Sequence, residues 1–297
     1  MLKRTILIES PSHLQIENDL LKITNKSTST SETLTIDDIG FIILENNQST
    51  TTVQFFQKVA EYNSIVVICD KSHTPISLTI PLYSNKTQTQ TINKQTLLTA
   101  KDKNTLWKQL IQSKVKNQAI LLKTRNQVSN QLERLSNNVT EQTANTVEST
   151  ASRIYWKLLF NIKKFKRDAE GDPPNNLLNY GYAILRACVA RSLVGSGLLP
   201  TLGIFHKNQY NAYCLADDIM EPYRPFVDRL VSEIIKNEDE LFELTPSIKK
   251  QLLGIPVIDV RIDSKKSPLM NAISRTTSSL ARCFEGDSRK ILYPTIK

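Results

Sequence analysis

Apolar side chains come in short β-branched bursts over residues 1–83, and from Leu97 onward they recur every three or four positions. The bursts TILIES, LQIEN, LLKITN, TLTI, FIIL, IVVICD and ISLTIPLY have strand length and are separated by polar turns. One stretch among them, VQFFQKVAEYN, instead places Val53, Phe56 and Val59 at helical spacing. Residues 1–83 are therefore expected to form a small β-rich domain with one helix, covering one face of a sheet. Residues 84–96, SNKTQTQTINKQT, hold almost no apolar side chain and read as a linker or a hairpin loop.

Beyond that break the period predicts helices. TLWKQLIQSKVKNQAILLKTR is long and amphipathic, and NTVESTASRIYWKLLFNI lines up Val147, Ala151, Ile154, Leu158 and Ile162 on one side. LLNYGYAILRACVARSLVGSGLL is apolar nearly all round, the mark of a central helix, and its GSG ends it with residues that tolerate left-handed dihedrals. Two more helices are expected near 245–253 and 267–284. The fold class is α+β: a small N-terminal β-rich domain (1–83), a linker (84–96) and a larger all-α domain (97–297).

Charge divides the chain in the same place. Residues 1–95 carry 8 basic and 9 acidic side chains, whereas the other 30 basic and 20 acidic ones fall in 96–297. A basic half beside a neutral half suggests that one domain meets a polyanion, although such charge also serves solubility. Cys69, Cys188, Cys214 and Cys283 are widely spaced, with no CxxC pair, which speaks against a zinc knuckle or a disulfide framework. TILI is too short for a signal-peptide core, and no apolar run approaches the roughly 20 residues of a membrane span. A cytoplasmic protein without a membrane partner is expected.

Candidate chemistry concentrates in HKNQYNAYCLADDIMEPYRP, residues 206–225. His13 and His73 have no clustered partners and read as surface or turn residues; His206 lies just before a helix bearing Asp217, Asp218 and Glu221. Asn211 is a good N-cap, so that helix should start at Ala212, with an apolar stripe of Leu215, Ile219, Pro222, Phe226 and Leu230. Asp218 borders the stripe, Glu221 lies about 60° further round, and Asp217 points further away. Asp218 and Glu221 are neighbours at i, i+3 and repel unless a cation sits between them. Pro222 and Pro225 deprive the carbonyls of Asp218 and Glu221 of their helical N–H, so a kink is expected at the carboxylates. A solvated face would explain the carboxylates but not the prolines. Imidazole with carboxylates suits Mn²⁺ or Mg²⁺, and the lack of thiolates argues against structural zinc. Glu148 is the best candidate for a third acid, sharing a helix face with Ala151, Ser152 and Tyr155; taken alone it is a solvated charge.

These residues also carry a family resemblance. VESTASRIYW (147–156), DPPNNLLNYGYAIL (172–185), LGIFHKNQYN (202–211) and LADDIMEPYRPFVD (215–228) resemble, in order and spacing, motifs of the CRISPR-associated integrase, the first Cas protein of spacer acquisition. The length and DDIMEPYRP resemble its type II branch. The resemblance implies an N-terminal β-domain used for homodimerisation and a helical catalytic domain that holds a divalent metal, Mn²⁺ or Mg²⁺. The family's Glu, His and acidic residue fall on Glu148, His206 and Glu221, the implied metal-binding and catalytic set, with Asp218 as an additional acid. Ser149 departs from the glycine usual after the family's Glu.

The implied reaction inserts a short DNA duplex, the prespacer, into a CRISPR array. A prespacer 3′-hydroxyl attacks a phosphodiester at the leader–repeat boundary, and a second attack follows at the far end of the repeat. Branched or nicked DNA is hydrolysed when water replaces the hydroxyl. Double-stranded DNA, a second copy of the chain and the second Cas protein of acquisition are the implied partners, in a prokaryotic cytoplasm. Two other readings stay open: a stand-alone metal-dependent nuclease, and a non-catalytic DNA-binding scaffold. KKFKR (163–167) is a phosphate contact or a solvated face, and Tyr180 and Tyr182 read as packing residues. Within DDIME, helix geometry ranks the acids Glu221, Asp218, Asp217, from most to least needed.

Overall fold

The computed structural model describes residues 4–71, 75–82, 85–160, 162, 165–168, 170–237 and 243–296, and the chain divides into two compact units between Asn85 and Lys86. His73, Lys163 and Lys164 lie outside the described residues. The protein is a mixed α+β chain with sheets in its N-terminal part and helices in its C-terminal part.

The N-terminal unit runs β1 (Arg4–Ile8), β2 (Ser12–Glu17), β3 (Leu20–Asn25), β4 (Ser31–Thr35), β5 (Ile39–Leu44), β6 (Thr50–Thr51), α1 (Val53–Glu61), β7 (Ile65–Cys69) and β8 (Pro75–Thr79). Its strands form two sheets, β4-β3-β2-β6 and β1-β5-β7-β8, where one was expected. The burial of each strand explains the split. β5 and β7 are buried along nearly their whole length, as strands of a parallel pair covered on both faces are, whereas β2 alternates. Leu14 and Leu21 of one sheet share a core with Ile39, Ile42 and Val66 of the other and with Phe55 and Val59 of α1. Asn18 and Asp19, with φ of 50° and 61°, supply the left-handed pair that closes the β2–β3 hairpin. Val53 does not join the buried stripe; it opens α1 beside the capping Thr52 and is exposed.

The C-terminal unit comprises α2 (Gln88–Thr96), α3 (Ala100–Thr124), α4 (Asn130–Asn137), α5 (Ala144–Leu159), α6 (Asn175–Gly195), α7 (Cys214–Met220), α8 (Arg224–Asn237), α9 (Pro246–Leu252) and α10 (Leu269–Glu285). It is not all-α: β9 (Asp259–Ile262), β10 (Lys265–Pro268) and β11 (Pro294–Thr295) make a sheet in the order β10-β9-β11. Asp263 and Ser264 form its tight turn at positive φ. The polar stretch expected as a linker contains α2, which tertiary hydrogen bonds hold in place of apolar burial. Gln95 donates to the carbonyls of Leu199 and Leu202 and accepts from the Leu199 N–H, each at 3.0 Å.

Thr99 and Asp102 cap α3 reciprocally. α5 buries Val147 and Ala151 as expected, but then Tyr155 and Leu159, leaving Ile154 and Leu158 half-buried. The stripe turns because the Tyr155 hydroxyl reaches the buried carboxylate of Asp228 at 2.7 Å. α6 is the central helix. A Cβ on its Gly181 would stand 2.6 Å from a methyl of Val227, so only glycine lets α6 and α8 approach this closely. Gly197, at φ 76°, follows its end. No helix among the described residues is long and apolar enough to cross a membrane.

Candidate active site

The prolines act where expected, through a tighter turn. α7 stops at Met220, Glu221–Tyr223 form a 3₁₀ turn, and α8 resumes at Arg224. The carbonyls of Asp218 and Glu221, robbed of their i+4 donors, accept from the N–H groups of Glu221 and Arg224 three residues on. Asn117 of α3 donates to the carbonyl of Pro222 at 2.9 Å, which ties the turn to α3. The helix begins two residues later than expected, because Asn211 is engaged otherwise. It accepts from the Tyr213 N–H and donates to Asp217 at 2.7 Å.

All three acids of this segment are buried, and each has a different partner. Asp217 accepts from Arg186 of α6 at 2.7 Å as well as from Asn211, so it is not the outward-facing acid expected. Asp218 is fully buried and both its oxygens are taken. Oδ2 accepts the N–H groups of Ile204 (2.6 Å) and Phe205 (3.0 Å), and Oδ1 accepts the His206 N–H (3.2 Å) and contacts His206 Nδ1 (2.6 Å). Asp218 folds the 203–206 loop around itself and orients the imidazole. Gly203 makes that possible, since a Cβ there would lie 2.3 Å from the His206 carbonyl oxygen. The hydrogen bond to Asp218 raises the imidazole pKa, against the lowering effect of burial. With Nδ1 bound this way, Nε2 has no hydrogen-bond partner among the described residues. Trp107 stacks on Phe205 with ring centres 4.2 Å apart and meets the imidazole edge-on, closing the loop from the α3 side.

Glu221 belongs to a second constellation. Its Oε2 lies 2.6 Å from the ammonium of Lys114 on α3, and its Oε1 lies 3.0 Å from Nε of Arg224. The same ammonium lies 2.6 Å from Oε1 of Glu148, which also accepts from Ser152 at 3.0 Å. Thus Glu148 and Glu221 converge on one cation. Burial pushes the Glu221 carboxyl up, but Arg224 and then Lys114 outweigh it and hold the group at about 2. Lys114 feels the reverse: burial lowers it, and Glu221 with Glu148 bring it above its ordinary value. Glu221 Oε2 is buried, and the Lys114 ammonium at 2.6 Å is its charge partner. His206 is near enough for its charge to depress Glu221 further. As the side chains stand, no group of three His, Cys, Asp or Glu among the described residues is gathered as a metal-binding set. What is gathered is a cation between two carboxylates.

Glu148, Glu221 and Lys114 border a cleft of about 460 Å³. Its rim is basic and aromatic, with Arg153, Lys157, Lys166 and Arg167 beside Trp156 and Phe165. Of the KKFKR run, Arg167 is no solvated charge: it donates to Asn175 (2.9 Å) and Asn179 (2.7 Å) and lies over the ring of Tyr182. The Tyr182 hydroxyl donates to Asp228, as does that of Tyr155, and Arg224 covers the other ring contact. Tyr182 is therefore more than packing.

Sequence reading passed over Lys114, Arg224 and Asp228. For Lys114 a signal existed: it occupies the core side of α3, between Leu110 and Gln118, where a charge is out of place unless paired.

A family model described as CRISPR associated protein Cas1 matches residues 6–247. A CRISPR-associated endonuclease Cas1 of Neisseria meningitidis serogroup C (strain 8013) is 30% identical over 296 residues, covering 99% of this chain and 96% of that one. Two solved structures share the fold at 19% identity. A casposase bound to integration product covers 97% of this chain and 92% of its own, with a TM-score of 0.80. A Cas6-RT-Cas1–Cas2 complex covers 100% of this chain and 37% of its own, with a TM-score of 0.76. With motifs, family model and a full-length relative in agreement, the chain belongs to the CRISPR associated protein Cas1 family.

Proposed function

We propose that the protein is a metal-dependent DNA integrase of CRISPR adaptation. The observation that carries the reading is the convergence of Glu148 and Glu221, 73 positions apart in the chain, on a single cation at 2.6 Å from each. A site that already draws a cation between two carboxylates, beside an imidazole whose Nε2 has no partner among the described residues, has the donor chemistry for Mn²⁺ or Mg²⁺. Glu148, Glu221 and Nε2 of His206 would hold the ion, which when bound neutralises charge building on a phosphoryl group under attack. Asp218 fixes the imidazole, and Arg224 holds Glu221 from behind. Arg153, Lys157 and Lys166 at the cleft supply cations for the phosphates of bound DNA.

In the reaction a prespacer 3′-hydroxyl attacks phosphorus at the leader–repeat junction, losing its proton. The bond from that phosphorus to the leader's 3′-oxygen breaks, and that oxygen takes up a proton. Water in place of the hydroxyl gives endonuclease cleavage, the activity in the name of the Neisseria relative. The casposase and the Cas1–Cas2 assembly, each named for DNA integration or for a Cas partner, favour duplex DNA and the second Cas protein as partners here. We assign homodimerisation to the β-rich domain of residues 1–83 and catalysis to the helical domain that follows.

The test is an integration assay on a leader–repeat duplex with prespacer and the second Cas protein of acquisition. Activity should require Mn²⁺ or Mg²⁺ and vanish in Glu148→Ala and His206→Ala variants that remain folded. Full strand transfer in EDTA overturns the metal reading; cleavage of branched DNA without strand transfer makes the protein a nuclease.

A further inference from the structure

Lys114 sits where a lysine is costly. It lies mid-helix on the core side of α3, its side chain only 8% exposed, and its ammonium touches Glu148 and Glu221 at 2.6 Å each. Without a cation between them the two carboxylates, Glu221 buried and Glu148 31% exposed, would face each other at the edge of the cleft. The ammonium supplies that cation and neutralises the pair. A divalent ion shared by Glu148 and Glu221 needs the same region of charge, and an ammonium held against the same two oxygens repels it. Arg224 presents no such conflict, because it engages the other oxygen of Glu221. Lys114 also borders the cleft, so a flexible four-carbon stem has room to withdraw.

We propose that Lys114 is the counter-cation of the metal-free site: its ammonium bridges Glu148 and Glu221 until a divalent ion enters, then yields those oxygens to it. The site thus alternates between two cations, and the protein keeps its carboxylates in register without metal at the expense of metal affinity. This inference rests on the reading that Glu148 and Glu221 hold a divalent ion.

The experiment titrates MnCl₂ into EDTA-stripped, dialysed full-length protein by calorimetry, comparing wild type, Lys114→Met and Glu221→Gln. Lys114→Met is expected to bind Mn²⁺ about tenfold more tightly, because the charge that repels the ion from the two carboxylates is gone. It should also melt at a lower temperature than wild type without metal and gain a larger Mn²⁺-induced shift. A folded Lys114→Met with affinity equal to or below wild type overturns the inference alone. A wild-type isotherm without Mn²⁺ binding, or one that Glu221→Gln leaves intact, overturns the metal reading and this inference with it. Should Lys114→Met not fold, wild type supplies the second measurement, amine labelling followed by mass spectrometry. Lys114 should be protected in EDTA and label faster at saturating Mn²⁺; a rate indifferent to Mn²⁺ refutes the exchange.

Discussion

Glu221 and Asp228 stand seven residues apart on one continuous run of chain, both buried, yet their protons behave oppositely. Glu221 is held at about 2, because the cations of Arg224 and Lys114 outweigh burial. Asp228 rises to about 6, because burial outweighs the hydrogen bonds from Tyr182 and Tyr155. Burial is common to the two, so the partner decides. Ammonium and guanidinium groups keep a carboxylate ionised and able to face another cation, while phenols share a proton with it and lock packing. In the proposed function the first arrangement serves the metal site and the second its scaffold.

Breaking the cationic side should have the largest effect. Glu221→Gln is expected to lower integration by more than about 100-fold, since even partners one shell out typically cost about 10–100-fold. Leaving Arg224 without its carboxylate, and Lys114 with Glu148 alone, should also cost about 3 kcal/mol in chemical denaturation. Near-normal integration in this variant would remove Glu221 from the site.

His206 offers the next contrast. Its pKa is raised by Asp218, and Nε2 must be unprotonated to bind a metal, so activity should climb as pH rises through that raised value. Asp218→Asn should lower the rate by about 10–100-fold and move the rise to lower pH. A profile that keeps its midpoint means Asp218 does not govern the imidazole.

pH separates the two acids directly. Asp228, raised from 3.8 to about 6, contributes stability that is complete below pH 3.8 and lost as pH climbs through 6. The span corresponds to about 3 kcal/mol. Glu221, lowered from 4.5, contributes stability present above that value and lost as pH falls toward 2. Asp228→Asn should flatten the decline between pH 4 and 6, read from urea midpoints; an unchanged slope would mean that Asp228 is ionised throughout. The smallest effect is expected from Asp217→Ala. Its Arg186 partner is 43% exposed and can turn to water once the carboxylate is gone, so loss of that pair should cost about 1 kcal/mol. Integration below that of Asp218→Asn would reverse the ranking.

Much of this was legible in the chain, and the gaps have physical causes. Strand bursts, the helix from Val53, the break of α7 at the prolines and the left-handed Gly197 all follow from local sterics and periodicity. Helix α2 was hidden because side-chain hydrogen bonds from Gln95, not apolar burial, secure it. The buried face of α5 was read one residue off because a tyrosine hydroxyl, not an aliphatic stripe, chose it. For the acids, helical angles placed Asp217 outward, but Arg186 on a distant helix draws it in.

By itself the sequence determined the two-part α+β plan, the kink at Glu221 and the family to which the chain belongs, since each rests on neighbours in the chain or on motif order. Only the tertiary structure decided which carboxylate meets which cation. Glu148, Lys114 and Glu221 sit on three separate elements, and His206 is turned to Asp218 by a loop folded about that carboxylate. The energy of a charge pair falls with distance through space and is blind to distance along the chain, so such pairings exist only once the helices have packed.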